Sequence, residues 1–261
     1  MTRNPWRRAR PLVIAHRGHS LEVPENTLAA YRRAIELGTE MIEADVNLTR
    51  DGELVMIHDW TLDRTTSGSG NVREATLDEV RGLDAGSWFG PEFTGLRVPT
   101  TAETIDLARD SGVMMCFEVK GADPDEADEI ALRLVDLLAS RDALGWALMS
   151  SYHHRAMARA RARVPELMLA PERLPDDVPA EPAEALRQAQ ALEARIIQNH
   201  YALLTPELVD HLHRADVAVW AWPTTEPQSI VDSIAVGADA VMGDDVTAMV
   251  EAVSRLPGGA L

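Results

Sequence analysis

The sequence predicts a closed parallel (β/α)8 barrel, and three observations carry that expectation. Short β-branched runs alternate with longer amphipathic runs eight times along the chain. No shift in composition divides the 261 residues, a length at which such a barrel forms as one unit. The first strand-to-helix turn lacks the glycine-rich pattern of an open doubly wound sheet, which would also have fewer strands. One domain over 1–261 is expected.

The elements follow in order. LVIAH at 12–16 is the first strand, and Pro24 opens a helix with Leu28, Tyr31 and Ile35 on one face and Gly38 at its end. MIEADV at 41–46 is the second strand. An insertion at about 47–99 then breaks the alternation. Asp51-Gly52 marks a hairpin, LVMIHD at 54–59 returns, and about 40 residues rich in Thr, Ser and Gly lead to Pro99. A long loop at a barrel's carboxyl mouth is usually functional. MMCFEVK at 114–120 is the third barrel strand, followed by a capping box of Asp123 and Glu126 around Pro124 and a helix facing inward through Ile130, Leu134 and Leu138. WALMSSY at 146–152, LMLAP at 167–171, RIIQNH at 195–200, AVWAW at 218–222 and AVMGD at 240–244 complete the eight. Thr205-Pro206 starts one late helix, and Thr225 with Gln228 reads as the cap of another.

Composition narrows the function. Lys and Arg number 25 against 42 Asp and Glu, a formal charge of −17, which repels nucleic acid and anionic membranes. Cations gain most from that field. No nucleic-acid partner and no stable membrane association are expected, and the oligomeric state is left open. The basic amino end has too few apolar residues for a signal-peptide core or a membrane span. Cys116 lies in an apolar run as the sole cysteine and reads as a buried thiol, so a cytoplasmic location is expected.

Side chains on a strand alternate faces, so Glu43 and Asp45 point the same way, as do Glu118 and Lys120 on the next barrel strand. If these faces turn inward, three carboxylates converge and repel one another. Lys120 offsets part of that charge, and one divalent cation bound through oxygen, Mg²⁺ or Ca²⁺, supplies the rest. With Asp51 and Gly52 as the two loop residues of the hairpin, Leu48 faces Val55, Val46 faces Ile57 and Asp45 faces His58. His16 ends the first strand at the same mouth. Two imidazoles around one set of carboxylates suggest a general base and a general acid. Arg17 and Lys120 suit an anionic substrate. Together these residues describe a site for phosphoryl chemistry.

HRG at 16–18, PENT at 24–27, E-x-D at 43–45, HD at 58–59, TLDRTTSGSG at 61–70, LDAGSWFGPEF at 83–93 and FEVK at 117–120 form an ordered set that resembles the glycerophosphodiester phosphodiesterase family. The likeness spans the chain and is densest over the first 120 residues. It implies a TIM-type barrel with the insertion as a small cap, and metal-dependent cleavage of a small-molecule glycerophosphodiester to an alcohol and glycerol phosphate. Position by position, it implies Glu43, Asp45 and Glu118 as metal ligands, His16 and His58 as the acid/base pair, and Arg17 and Lys120 as phosphate contacts. Glu25 is a secondary candidate, with a first-turn acid favouring the helix dipole as its simpler role.

The carboxyl half departs from the family pattern. Members commonly read WTVN where this chain has Trp222-Pro223-Thr224-Thr225, and TD-x-P where it has Gly243-Asp244-Asp245-Val246. Trp222 suits packing against an alcohol or quaternary ammonium group, or a place in the core. His200 is a candidate for the mouth, and His19 is peripheral. His153, His154, His211 and His213, with the arginines from Arg155 to Arg163, read as solvated helix faces. Three other functions fit parts of the pattern: a phospholipase D-like lyase forming a cyclic phosphate, a glycosidase using the carboxylates alone, and a silent phosphate-ligand binding protein.

Overall fold

The computed structural model describes residues 4–256. Its strands are β1 (Leu12–His16), β2 (Met41–Leu48), β3 (Leu54–Met56), β4 (Met114–Val119), β5 (Ala147–Ser150), β6 (Met168–Leu169), β7 (Ile196–His200), β8 (Ala218–Trp222) and β9 (Ala240–Gly243). All but β3 are parallel, in the order β6-β5-β4-β2-β1-β9-β8-β7. Backbone bonds just after β6 close the ring: Gln198 N–H donates to the Pro171 carbonyl and Arg173 N–H to that of Gln198. The expected barrel is therefore present, and each of the eight predicted runs contributes one of its strands.

Side-chain alternation sorts the residues into two cores. Leu12, Ile14, Met41, Cys116, Leu148, Ile196, Trp220 and Met242 fill the barrel interior, as inward-pointing positions of such strands do. Their neighbours Val13, Ala15, Ile42, Ala44, Phe117 and Val119 pack outward against the helices. β1, β2 and β4 enter the mouth with polar inward residues, because the parity that buries Ile14, Met41 and Cys116 also turns His16, Glu43, Asp45 and Glu118 inward.

The helices are α1 (Leu28–Glu36), α2 (Leu77–Gly82), α3 (Thr101–Ser111), α4 (Pro124–Ser140), α5 (His154–Arg163), α6 (Pro182–Ala191), α7 (Pro206–Arg214), α8 (Pro227–Ala235) and α9 (Val246–Ser254). Their starts correct three expectations. Thr27, not Pro24, caps α1, its hydroxyl accepting from Ala30 N–H. Asp123 accepts from Asp125 and Glu126 N–H, but Glu126 reaches one residue further back, to Ala122 N–H, so the box is incomplete. Glu226 with Ser229, not Thr225 with Gln228, forms the box that starts α8.

The insertion packs around a small core of Val55, Ile57, Leu62, Val72, Val80, Ala85 and Val98. It returns to the barrel where Met56 N–H meets the Pro99 carbonyl. The β2–β3 register differs from the expected one: Leu48 pairs with Leu54, Asn47 with Val55 and Val46 with Met56. Gly52 at φ 88° supplies a left-handed residue, and Thr49 N–H donates to the Glu53 carbonyl. The loop is thus three residues, Arg50 to Gly52, a turn closed by left-handed glycine. One added residue shifts every pair by one, so Asp45 meets Ile57, whose N–H donates to its carbonyl, instead of His58.

Candidate active site

The mouth is built from strand registers. Parallel pairing sets His16 beside Glu43 and Asp45 beside Glu118. Oxygens of Glu43, Asp45 and Glu118 lie within 4.8 Å of one another, and all three residues are buried. Arg17 and Lys120 answer them. Arg17 Nε lies 3.0 Å from Asp45, and Lys120 Nζ lies 3.1 Å from Asp45 and 2.7 Å from Glu118. Arg17 reaches this position from a left-handed backbone at φ 57°, followed by Gly18 at φ 88°. Such strain in a non-glycine residue persists where its surroundings fix it, here through Arg17 N–H donating to the Glu43 carbonyl. Asn26 Nδ2 donates to Asp45 at 2.7 Å, while Asn26 Oδ1 accepts from Asp45 N–H and the Tyr31 hydroxyl.

The charges do not balance. Burial opposes ionisation of Asp45, yet Lys120 and Arg17 outweigh it and hold this carboxyl far below the ordinary range. Burial also opposes the charge of Lys120, but Asp45 and Glu118 keep it firmly protonated. Glu43 goes the other way: burial, then the charges of Asp45 and Glu118, push it well up. Its Oε1 is buried with no hydrogen-bond partner. An unpartnered carboxylate oxygen beside two more carboxylates is the donor set that a hard divalent cation takes, so the three residues could hold a metal ion.

Both histidines line one cavity of about 90 Å³ with Arg17, Glu43, Glu118 and Lys120. Each is anchored at Nδ1 by a carboxylate: His16 by Asp244 at 2.7 Å, and His58 by Asp59 at 2.7 Å. His16 Nε2 lies 4.0 Å from Glu43. His58 thus joins the site although its expected cross-strand pairing with Asp45 does not form. Asp59 is held in turn by Arg64, which also bridges to Glu25, and Glu25 pairs with Arg17. Glu25 is therefore a link between the two guanidinium groups, not a helix-dipole acid. Trp222 lines the cavity, packs edge-on against Tyr152 at 6.1 Å, and has its indole N–H buried without a partner.

The remaining candidates separate. His200 caps the turn after β7 and packs edge-on against Trp222. His19 is buried and accepts from Val246 N–H, tying the first loop to α9. His213 pairs with Asp239, and His154 Nε2 is hydrogen-bonded to the Glu172 carbonyl, so neither is a solvated surface group. Arg155, Arg159 and Arg163 are exposed as expected, and from that face Arg155 and Arg159 also pair with Asp128 of α4 and Arg163 with Asp136. His153 lines a wider cleft of about 520 Å³, which shares His58, Glu118, Lys120 and Tyr152 with the inner cavity. The two departures in the carboxyl half form one packing arrangement. A Cβ at Gly243 would overlap the Thr224 carbonyl, and Thr224 N–H donates to the Met242 carbonyl at 2.7 Å. Sequence reasoning gave no role to Asp59, Asp244, Arg64, Asn26, Tyr152 or Glu172. Only Asp59, adjacent to His58, had a local signal.

Comparison with known proteins agrees with this fold. The profile of the glycerophosphoryl diester phosphodiesterase family matches residues 16–248. A glycerophosphodiester phosphodiesterase of Caldanaerobacter subterraneus subsp. tengcongensis is 35% identical over 94% of this chain and 98% of its own. One from Bacillus altitudinis is 30% identical over 89% and 94%. Among solved structures, a phosphodiesterase of Oleispira antarctica in complex with the product sn-glycerol 3-phosphate superposes with a TM-score of 0.85 at 30% identity, covering 94% of this chain and 98% of that one. A glycerophosphodiester phosphodiesterase of Agrobacterium tumefaciens gives 0.77 at 26%, covering 91% and 99%. The chain is an enzyme of the phosphoric diester hydrolase class and belongs to the glycerophosphoryl diester phosphodiesterase family.

Proposed function

We propose that the protein hydrolyses glycerophosphodiesters to an alcohol and sn-glycerol 3-phosphate, with His16 and His58 as the acid/base pair. The observation that carries this reading is the pair of imidazoles on one cavity, each with Nδ1 tied to its own carboxylate. An aspartate at Nδ1 fixes the tautomer and leaves Nε2 for proton transfer, and it stabilises the imidazolium formed during turnover. One imidazole removes the nucleophile's proton at Nε2, and the other delivers a proton to the departing alkoxide, help worth roughly 10²- to 10⁴-fold in rate. Arg17 and Lys120 receive the phosphodiester's non-bridging oxygens through charge-assisted hydrogen bonds. Trp222 and Tyr152 form the apolar wall beside them.

Glu43, Asp45 and Glu118 would hold a divalent cation, Mg²⁺ or Ca²⁺, consistent with their all-oxygen donor set and the unpartnered Glu43 Oε1. A bound cation there supplies Lewis-acid polarisation of the phosphoryl oxygens. The product named for the Oleispira antarctica relative supports the same substrate class. No helix among the described residues is long and apolar enough to cross a membrane, and the buried free thiol of Cys116 suits a reducing, cytoplasmic setting. The deciding experiment is incubation with glycerophosphocholine, glycerophosphoethanolamine and glycerophosphoinositol, with and without EDTA. Glycerol phosphate release that stops on chelation is expected; no release from any of the three refutes the assignment.

A further inference from the structure

A fourth acid, Glu172, enters the inner cavity without belonging to the carboxylate cluster. It follows β6 on the bridge that closes the barrel, paired with Gln198, and is 4% exposed. Its place is over-determined. The Glu172 carbonyl is hydrogen-bonded to His154 Nε2 at 2.7 Å, and Gln198 Nε2 donates both to Glu172 Oε1 at 3.3 Å and to the Ala170 carbonyl at 2.8 Å. The other carboxyl oxygen, Oε2, is buried and has no hydrogen-bond partner. A buried polar atom left unpaired costs free energy unless a ligand completes it.

The chemistry of the cavity selects the ligand group. An ionised Glu172 offers a phosphate oxygen no donor, and although burial and the charge of Glu118 push this carboxyl up, Arg17 and Lys120 already supply the donors for phosphate in the same cavity. A hydroxyl can donate to Oε2 and still accept from a neighbour. We infer that Glu172, oriented by Gln198, accepts a hydrogen bond from a hydroxyl of the substrate's glyceryl group and so determines specificity for polyol phosphodiesters. This rests on the functional reading above and extends it. The small cavity then holds the glyceryl end. The leaving alcohol extends into the wider cleft, between Trp60 and Tyr152.

The test uses Glu172→Ala, Glu172→Leu and Glu172→Gln in the full chain. Cleavage of glycerophosphocholine is compared with cleavage of bis(p-nitrophenyl) phosphate, a diester with no glyceryl hydroxyl. Calorimetry compares binding of sn-glycerol 3-phosphate with that of inorganic phosphate. The Ala and Leu variants should lower the ratio of kcat/KM on the first substrate to that on the second by on the order of tenfold to a hundredfold, the worth of a buried hydroxyl hydrogen bond. They should lower the glycerol phosphate to phosphate affinity ratio by a similar factor. Gln, which keeps an acceptor oxygen, should recover most of both ratios. Unchanged ratios in folded variants, or a loss of Mg²⁺ affinity, would overturn the assignment. A parent that cleaves only the nitrophenyl diester would instead remove the glycerophosphodiester reading itself.

Discussion

Asp244 offers the sharpest test of the proposed acid/base chemistry, because the chain brings it to His16 across 228 positions of sequence separation. Its Oδ1 accepts from His16 Nδ1 at 2.7 Å and from the Ser20 hydroxyl at 2.9 Å. A hydrogen bond to a charged group is worth about 1.5–3 kcal/mol net. The Asp244 side chain is 34% exposed, so screening places its value near the lower end. At about 1.4 kcal/mol per tenfold, Asp244→Ala should lower kcat/KM on glycerophosphocholine roughly tenfold to thirtyfold. Asp244→Asn should cost more, since its amide can donate to Nδ1 and force the proton onto Nε2, where a lone pair or a shared proton is needed. Burial works against ionisation of Asp244, but the hydrogen bond and charge of His16 prevail and hold its carboxyl below the ordinary range. The anion is thus present above that range and is lost only on acidification, so the parent should keep this contact at every pH above the ordinary carboxylate range. Steady-state release of glycerol phosphate measures these effects, with a thermal melt to confirm folding. Both variants within about threefold of the parent, or Asn more active than Ala, would show that Asp244 does not orient His16 for proton transfer.

His16→Ala and His58→Ala should each lower turnover by about 10²-fold or more while leaving the melt near that of the parent; near-normal activity in either removes its acid/base role. Glu43→Ala should weaken Mg²⁺ or Ca²⁺ binding in calorimetry, and an unchanged isotherm counts against this ligand. Glu43→Gln should raise the melting temperature of the metal-free protein, because it replaces a carboxyl whose ionisation burial, Asp45 and Glu118 oppose, and should shrink the further rise caused by added cation. Gly243→Thr should destabilise by about 1–3 kcal/mol in denaturant titration, since its Cβ meets the Thr224 carbonyl; an unchanged midpoint would show that Thr224 moves freely.

Much of this molecule is legible along the chain because two periods carry it. Period-two alternation in LVIAH, MIEADV and MMCFEVK identifies the strands, and the same parity that buries Ile14, Met41 and Cys116 turns His16, Glu43, Asp45 and Glu118 into the mouth. Fold and carboxylate cluster therefore follow from local pattern, and Lys120 comes with Glu118 two residues away. What failed locally depended on single-residue geometry. The Arg50–Gly52 turn takes three residues where two were expected, and that slip changes every cross-strand partner.

Apart from Asp59, the sequence neighbour of His58, what surrounds the imidazoles depends on tertiary contacts. Asp244 reaches His16 only because β9 closes against β1. Arg64 reaches Glu25 only because the insertion folds back on the first loop. Glu172 and Gln198 meet where the ring shuts. Strand parity states which way a side chain points, but not which distant side chain it meets. That second fact depends on barrel closure and loop conformation, through contacts remote in sequence whose residue types are ordinary wherever they stand alone.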